Sequence, residues 1–409
     1  MSTQFRQSEK VWVLIDCDCF FVSCERLRNP KLLDEKVCVG DDIVVAKSYE
    51  AKKYWVKTWT PVWEAKKMLG SDAFFIPPNH KLYSKVSANM IALLKDIFDN
   101  VEVFSTDEAF VDITNSLWYF GVETYYQVAS IIQQKIYNQI WIPVSLWVAP
   151  TRLLAKTLSP FNKPYGITLA ITESQINNYL SSIKIGDVPF IGSAFQERLK
   201  NLSSALEFKN LSFGQIKSSM KWHWEKLWME LNQVNAMSFH NSNPQKWIRR
   251  TYSFNPEFSS NKQEVWAHLA VNIENAFSRL IDMDMRTSFL VVMLRDKQFR
   301  KYKEYIDLQT YTNNKFLIYK QARKLFEKIF TWNLVYRSTW IYLENLKKSE
   351  YVNNDLFSSG WKDKLPLWKT INNINKKYWK NTIMSASSSQ KSSQKSKKDL
   401  LLYLWEIRV

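Results

Sequence analysis

Glycine is nearly missing from this chain, with 8 residues in 409, about 2 % where average usage is roughly 7 %. Backbone positions that need positive φ or a close approach must therefore be occupied by something else. Cysteine is also scarce. Cys17, Cys19, Cys24 and Cys38 fall in one short stretch without the two CxxC knuckles of a structural zinc site, so reduced thiols in or near a core are expected. His80, His223, His240 and His268 are scattered without ligand spacing. No run of 18 or more apolar residues occurs, which excludes a membrane-spanning helix, and the opening MSTQFRQSEK lacks the apolar core of a signal peptide. The expectation is a cytoplasmic protein with no membrane contact.

What the chain has in excess is positive charge and tryptophan. Lys and Arg number 56 against 39 Asp and Glu, for a net +17. An imbalance of that size points to a polyanionic partner, nucleic acid before anionic membrane. The length favours two to four domains.

Two acidic signatures sit at the ends of apolar, strand-like runs: Val-Leu-Ile-Asp16-Cys-Asp18-Cys-Phe-Phe21 and Val-Glu-Val-Phe-Ser-Thr-Asp107-Glu108-Ala-Phe. Burying adjacent carboxylates is costly unless cations neutralise them. Three carboxylates at one sheet edge are what a pair of hard divalent ions requires. The β-branched runs at 11–15, 43–46 and 101–104 read as strands. Leu82, Val86, Met90, Leu93 and Ile97 recur at steps of three and four, which predicts an amphipathic helix over 80–98 lying on a sheet. The first 170 residues are therefore α/β. After Pro164 the pattern turns helical to about 240, and His-Asn-Ser-Asn-Pro-Gln-Lys at 240–246 reads as a linker. The segment 247–348 reads as a separate α+β module with one basic face, built around a strand at Phe289–Leu294. Residues 385–398, rich in Ser and Lys, cannot bury a core.

These residues resemble the Y-family translesion DNA polymerases, of the bacterial damage-inducible mutagenesis and lesion-bypass type, over nearly the whole chain. Residues 16–25 resemble the family's first motif and 105–113 its acidic motif. Val-Ala-Lys-Ser-Tyr49-Glu-Ala-Lys52 resembles the fingers segment that holds the triphosphate. Val-Ala-Pro-Thr-Arg-Leu-Leu-Ala-Lys156, followed by Phe-Asn-Lys163-Pro-Tyr-Gly-Ile, resembles the palm segment that completes the site, and Tyr-Arg337-Ser-Thr-Trp-Ile the last strand of the little finger. The resemblance implies an α+β multidomain right hand, with palm at 8–19 and 80–171, fingers at 20–79, a helix-hairpin-helix thumb at 172–240, little finger at 247–348 and a tail at 350–409.

It also implies low-fidelity, DNA-directed DNA synthesis past damaged bases by two-metal nucleotidyl transfer. Asp16, Asp107 and Glu108 are the implied catalytic ligands, with the backbone carbonyl of Cys17, for two Mg²⁺, and Mn²⁺ as a substitute. Asp18 supports the turn. Phe20, Phe21, Tyr49, Lys52 and Lys163 would hold the dNTP, with Phe21 as the aromatic gate against a ribose 2′-hydroxyl. The family usually has Arg at Lys52, so a planar clamp is replaced by a point charge. Arg249, Arg250, Arg295, Lys297, Arg300, Lys301, Lys303 and Arg337 would meet primer–template phosphates. Val188-Pro-Phe190-Ile-Gly192 resembles the turn of a helix-hairpin-helix, with Phe190 in place of its first glycine. Asn353-Asn-Asp355-Leu356-Phe357 is similar to a sliding-clamp peptide. A monomer is expected, with accessory subunits compatible. The competing reading is an inactive polymerase-like scaffold that binds DNA or clamp, for which buried metal carboxylates have no use.

Trp55, Trp59, Trp141, Trp147 and Trp340 stand where the family has glycine, and Trp222, Trp224 and Trp379 look similar. A gene whose UGA codons mean glycine but were read as tryptophan would produce both deviations in composition at once.

Overall fold

A computed structural model describes residues 9–192, 199, 201–219, 222–237, 246–254, 258–351, 365–378, 382–384 and 402–403. The chain divides into two compact units, residues 1–240 and 241–409. The linker at 240–245, residues 193–198 of the helix-hairpin-helix segment, Trp379, the Ser/Lys-rich stretch and the clamp-like Asp355, Leu356 and Phe357 lie outside the described residues.

The first unit is organised by strand β1 (Trp12–Cys17), which is apolar on both faces from Trp12 to Ile15. It is central in a five-stranded sheet, between β6 (Glu108–Asp112) and β7 (Val144–Ala149) and antiparallel to both. β5 (Val101–Val103) and β8 (Ile167–Leu169) lie outside them. The period of two sorts the side chains. Val13, Ile15, Ala109, Val111, Leu146 and Val148 face one core, while Trp12, Leu14, Phe110 and Trp147 face the other. Helix α4 (His80–Ile97) presents Tyr83, Val86, Met90 and Leu94 to the first core and lies where the spacing predicts it. α6 (Tyr125–Ile140) packs beside it through Val128, Ile132 and Ile136. The opposite face is covered by α7 (Arg152–Thr157), α8 (Glu173–Ser182) and the helices at 205–209 and 222–231.

A second, three-stranded sheet joins β2 (Val37–Val39), β3 (Ala46–Lys47) and β4 (Phe74–Ile76). Here the sequence reading needs correcting. The run at 43–46 is not a strand: Ile43 makes only an isolated bridge to Pro61, and regular pairing starts at Ala46. The chain turns sharply after Gly40, where an added Cβ would lie 2.0 Å from the Ile43 carbonyl oxygen. That turn uses the apolar residues as a buried loop, with Val44 fully enclosed.

The second unit is a four-stranded antiparallel sheet, β9 (Trp247–Ser253), β10 (Met285–Asp296), β11 (Lys301–Thr312) and β12 (Tyr336–Lys348), in the order β11-β10-β12-β9. Helices 262–282 and 315–329 cover one face, burying Leu290, Val292, Leu294, Ile341 and Leu343. The expected strand at 289–294 is the middle of β10. Among the described residues no helix is long and apolar enough to cross a membrane.

The suspect tryptophans separate into two groups. Trp55, Trp59 and Trp141 have φ of +65°, +75° and +64°, the left-handed region that bulky side chains avoid, and are 81, 70 and 66 % exposed. Trp141 ends α6 at the point where a helix customarily takes glycine. Trp147 and Trp340 sit instead in strands β7 and β12, and Trp147 is fully buried with its indole N–H donated to the Phe161 carbonyl.

Candidate active site

The acidic residues meet because of strand register. Asp16, near the end of β1, is paired across the ladder with Glu108 at the start of β6 and with Ser145 on β7. Asp107 is tied to the same edge, its carbonyl accepting from the Cys17 N–H at 3.0 Å. Its carboxylate accepts from Ser105 Oγ at 2.5 Å. Two lysines answer these charges. Lys163 Nζ lies 2.8 Å from Asp16 Oδ1, with the two side chains 26 and 13 % exposed, and Lys156 on α7 is ion-paired with Glu108. Burial pushes the Asp16 carboxyl up to about 7, assisted by its hydrogen bond with Glu108 and opposed by Lys163. Among the described residues no three acidic, His or Cys side chains gather round one point. Asp16 and Glu108 are brought together, but each is turned to its own lysine, because a buried carboxylate needs a cationic partner.

Asp18 takes a different set of partners beside this edge. Its Oδ1 accepts from Tyr49 Oη at 2.9 Å, and its Oδ2 accepts from Ser145 Oγ and the Tyr165 N–H, both at 2.8 Å. Tyr49 opens α2 (Tyr49–Lys52), which Ser48 caps by accepting from the Ala51 N–H. Burial and then Asp18 hold the Tyr49 phenol well above its ordinary range. Lys52 lies at the end of the same helix, its ammonium 5.7 Å from the Tyr49 ring centre. The turn after Lys163 depends on glycine: a Cβ at Gly166 would come 1.7 Å from the Asn162 carbonyl oxygen.

Phe20 and Phe21 open α1 (Phe20–Arg28), with different surroundings. Phe20 is buried in the core, leaving only its main chain for a ligand. Phe21 is half-buried and stacks on Tyr83, ring centres 4.2 Å apart at 14°. The Tyr83 hydroxyl donates to buried Glu25 at 2.8 Å. The Cys17 side chain is likewise buried, its thiol 3.3 Å from Met90 Sδ.

In the second unit, register places Arg249, Arg295, Lys301 and Lys303 on the sheet face opposite the helices. Lys297 and Arg300 are in the β10–β11 turn, which fully buried Asp296 organises by accepting from the Arg300 N–H and Nε and from Tyr302 Oη. Arg337 lies 3.9 Å from the Phe299 ring centre at the same tip. Arg250 does not join them. It is opposite core-facing Ile341, and burial followed by Arg279 lowers its pKa.

Residues 15–160 match the impB/mucB/samB family, and residues 245–356 match that family's C-terminal domain. The chain belongs to the Y-family of DNA polymerases. It is 28 % identical to DNA polymerase IV 1 of Bacillus subtilis and 27 % identical to DNA polymerase IV of Bacillus velezensis, each alignment covering 94 % of both chains. A Y-family DNA polymerase chimera superposes with a TM-score of 0.71 at 21 % identity, over 83 % of this chain and 99 % of its own. The Y-family architecture is the right hand of palm, fingers, thumb and little finger, and the mixed helix–sheet units described above follow it. Lys156 closes the palm motif quoted from the sequence, where it was given no role; its ion pair with Glu108 supplies one. Its position on the short helix directly after a sheet strand was the available signal. Nothing in the sequence pointed to Ser145 or Tyr165.

Proposed function

We propose that this chain is a low-fidelity, DNA-directed DNA polymerase that carries primers past damaged template bases by nucleotidyl transfer with two Mg²⁺. One observation carries the reading: half-buried Asp16 and buried Glu108 pair across the ladder, with Asp107 held at the same edge and lysines as counter-ions. The donor set is all oxygen, which suits hard cations such as Mg²⁺ or Mn²⁺. Asp16, Asp107, Glu108 and the Cys17 carbonyl would hold the ions, which would lower the pKa of the primer 3′-hydroxyl and neutralise the triphosphate and departing pyrophosphate.

The chain's own groups do the remaining work. Lys163 carries positive charge to the edge where a triphosphate would lie, while Tyr49 and Lys52 bring the fingers segment to it. Phe21, backed by Tyr83, stands as the barrier to a ribose 2′-hydroxyl. Palm at 8–19 and 80–171, fingers at 20–79, thumb at 172–240 and little finger at 247–348 would divide these roles. Arg249, Arg295, Lys297, Arg300, Lys301 and Arg337 would bind primer–template phosphates without regard to sequence. The protein would act in the cytoplasm as a monomer, tethered to a sliding clamp through Asp355, Leu356 and Phe357.

Primer extension with Mg²⁺ on undamaged and abasic templates tests this. Extension past the lesion that falls about a hundred- to a thousandfold in Asp107→Ala is the expected result, in the range typical for lost electrostatic stabilisation. A folded, DNA-binding protein that extends neither template would favour the scaffold instead.

A further inference from the structure

Asp18 joins three parts of the first unit that are far apart in sequence. Tyr49 comes from the start of α2, Ser145 from β7, and Tyr165 from the turn that follows Lys163; all three donate to this one carboxylate, which is only 2 % exposed. A buried carboxylate with three donors is satisfied without a cation, unlike Asp16 and Glu108 beside it. The donors are not arbitrary. Tyr49 and the Lys163 turn are the two segments that, on the function proposed above, receive the nucleotide triphosphate, and Ser145 sits directly across from Asp16.

We propose that Asp18 is a positioning residue that fixes the triphosphate-binding groups of the fingers and palm segments relative to the metal-binding edge. It reaches substrate only through Tyr49 and the Lys163–Gly166 turn. Preorganised groups bind without the cost of ordering at each encounter, so loosening them weakens nucleotide binding more than DNA binding.

This inference rests on the polymerase reading, and the test separates the two. The measurement is equilibrium binding of dATP, with Mg²⁺, to the full chain on a primer–template whose primer ends in a dideoxynucleotide opposite the position before a template thymine. Wild-type protein that binds DNA but no dATP would overturn the polymerase reading itself. If the wild type binds dATP, Asp18→Ala is expected to weaken that binding about tenfold while primer–template affinity measured without dATP changes less than twofold. Asp18→Asn, isosteric and still able to accept from Ser145 and Tyr165, should restore most of the loss. Combined with Tyr49→Phe, Asp18→Ala should cost less than the sum of the two single changes, since part of its effect passes through that hydroxyl. Unchanged dATP affinity in folded Asp18→Ala overturns the proposal, as does an equal loss of DNA and dATP binding, the mark of a merely structural role. Should Asp18→Ala give no cooperative melt, Ser145→Ala, which removes one of the three donors that hold this carboxylate, decides: a loss of dATP affinity with DNA affinity unchanged supports the proposal, and unchanged dATP affinity or an equal loss of both overturns it.

Discussion

Individual residues decide how this backbone can be read. Trp55, Trp59 and Trp141 adopt left-handed φ with their rings in solvent, so the conformation costs each of them roughly 1–2 kcal/mol with no compensating burial. Replacing each with glycine is expected to raise stability by about 1 kcal/mol, read as a higher midpoint in denaturant. Trp147→Gly should do the opposite, costing about 3–5 kcal/mol as a large core deletion, because its side chain is fully buried. If UGA is read as glycine in this source, the codons at 55, 59 and 141 are UGA; UGG at these three refutes that decoding. Asp16 gives a second residue-scale prediction. Its carboxyl titrates near 7 in the fold and near 3.9 in the unfolded chain. Between those values the native state binds the extra proton, so Asp16's contribution to stability is full below about pH 4 and is lost as pH rises towards 7. Thermal melts in EDTA from pH 5 to 8 should show that decline, and Asp16→Asn should flatten it.

At the scale of elements, one buried ion pair pins the central sheet to its covering helix. Glu102 on β5 pairs with Arg152 on α7 at 2.6 Å, their side chains 1 and 10 % exposed. The guanidinium also lies 3.6 Å from the Trp12 ring centre and donates to the Met237 carbonyl. Removing one partner leaves an uncompensated buried charge, so Glu102→Ala is expected to cost about 3–5 kcal/mol. Chemical denaturation checks this, and a loss below about 1 kcal/mol would show that water reaches Arg152. Neither residue carries chemistry. Their contribution is to hold the segment running from β7 through Lys156 against the strand that bears Asp16.

For the molecule as a whole, the net charge of +17 is a statement about affinity and its salt dependence. On the second unit, sheet register gathers part of that charge on one face and one turn. Each lost phosphate contact should lower the slope of log K against log salt by about 0.9. Arg295→Ala with Lys301→Ala is therefore expected to flatten the slope by nearly 2 and to weaken DNA binding equally on all sequences. Arg250→Ala, on the other side of the sheet, should leave the slope unchanged. Fluorescence anisotropy across a salt series distinguishes these outcomes.

Local pattern alone carried the mixture of helix and sheet, a helix over 80–98 that the structure ends at Ile97, the strands around Asp16, Asp107 and Phe289, and the two acidic signatures, while the right-hand architecture came from the family resemblance. Apolar periodicity is enforced by burial, and the sheet obeys it residue by residue. The break at 43–46 was hidden because a buried loop and a buried strand have the same composition. Only tertiary structure decided the counter-ions Lys156 and Lys163, the three donors on Asp18, the separation of Arg250 from its basic neighbours, and which tryptophans are strained. Those depend on strand register and on contacts between segments distant in sequence, which no local pattern encodes.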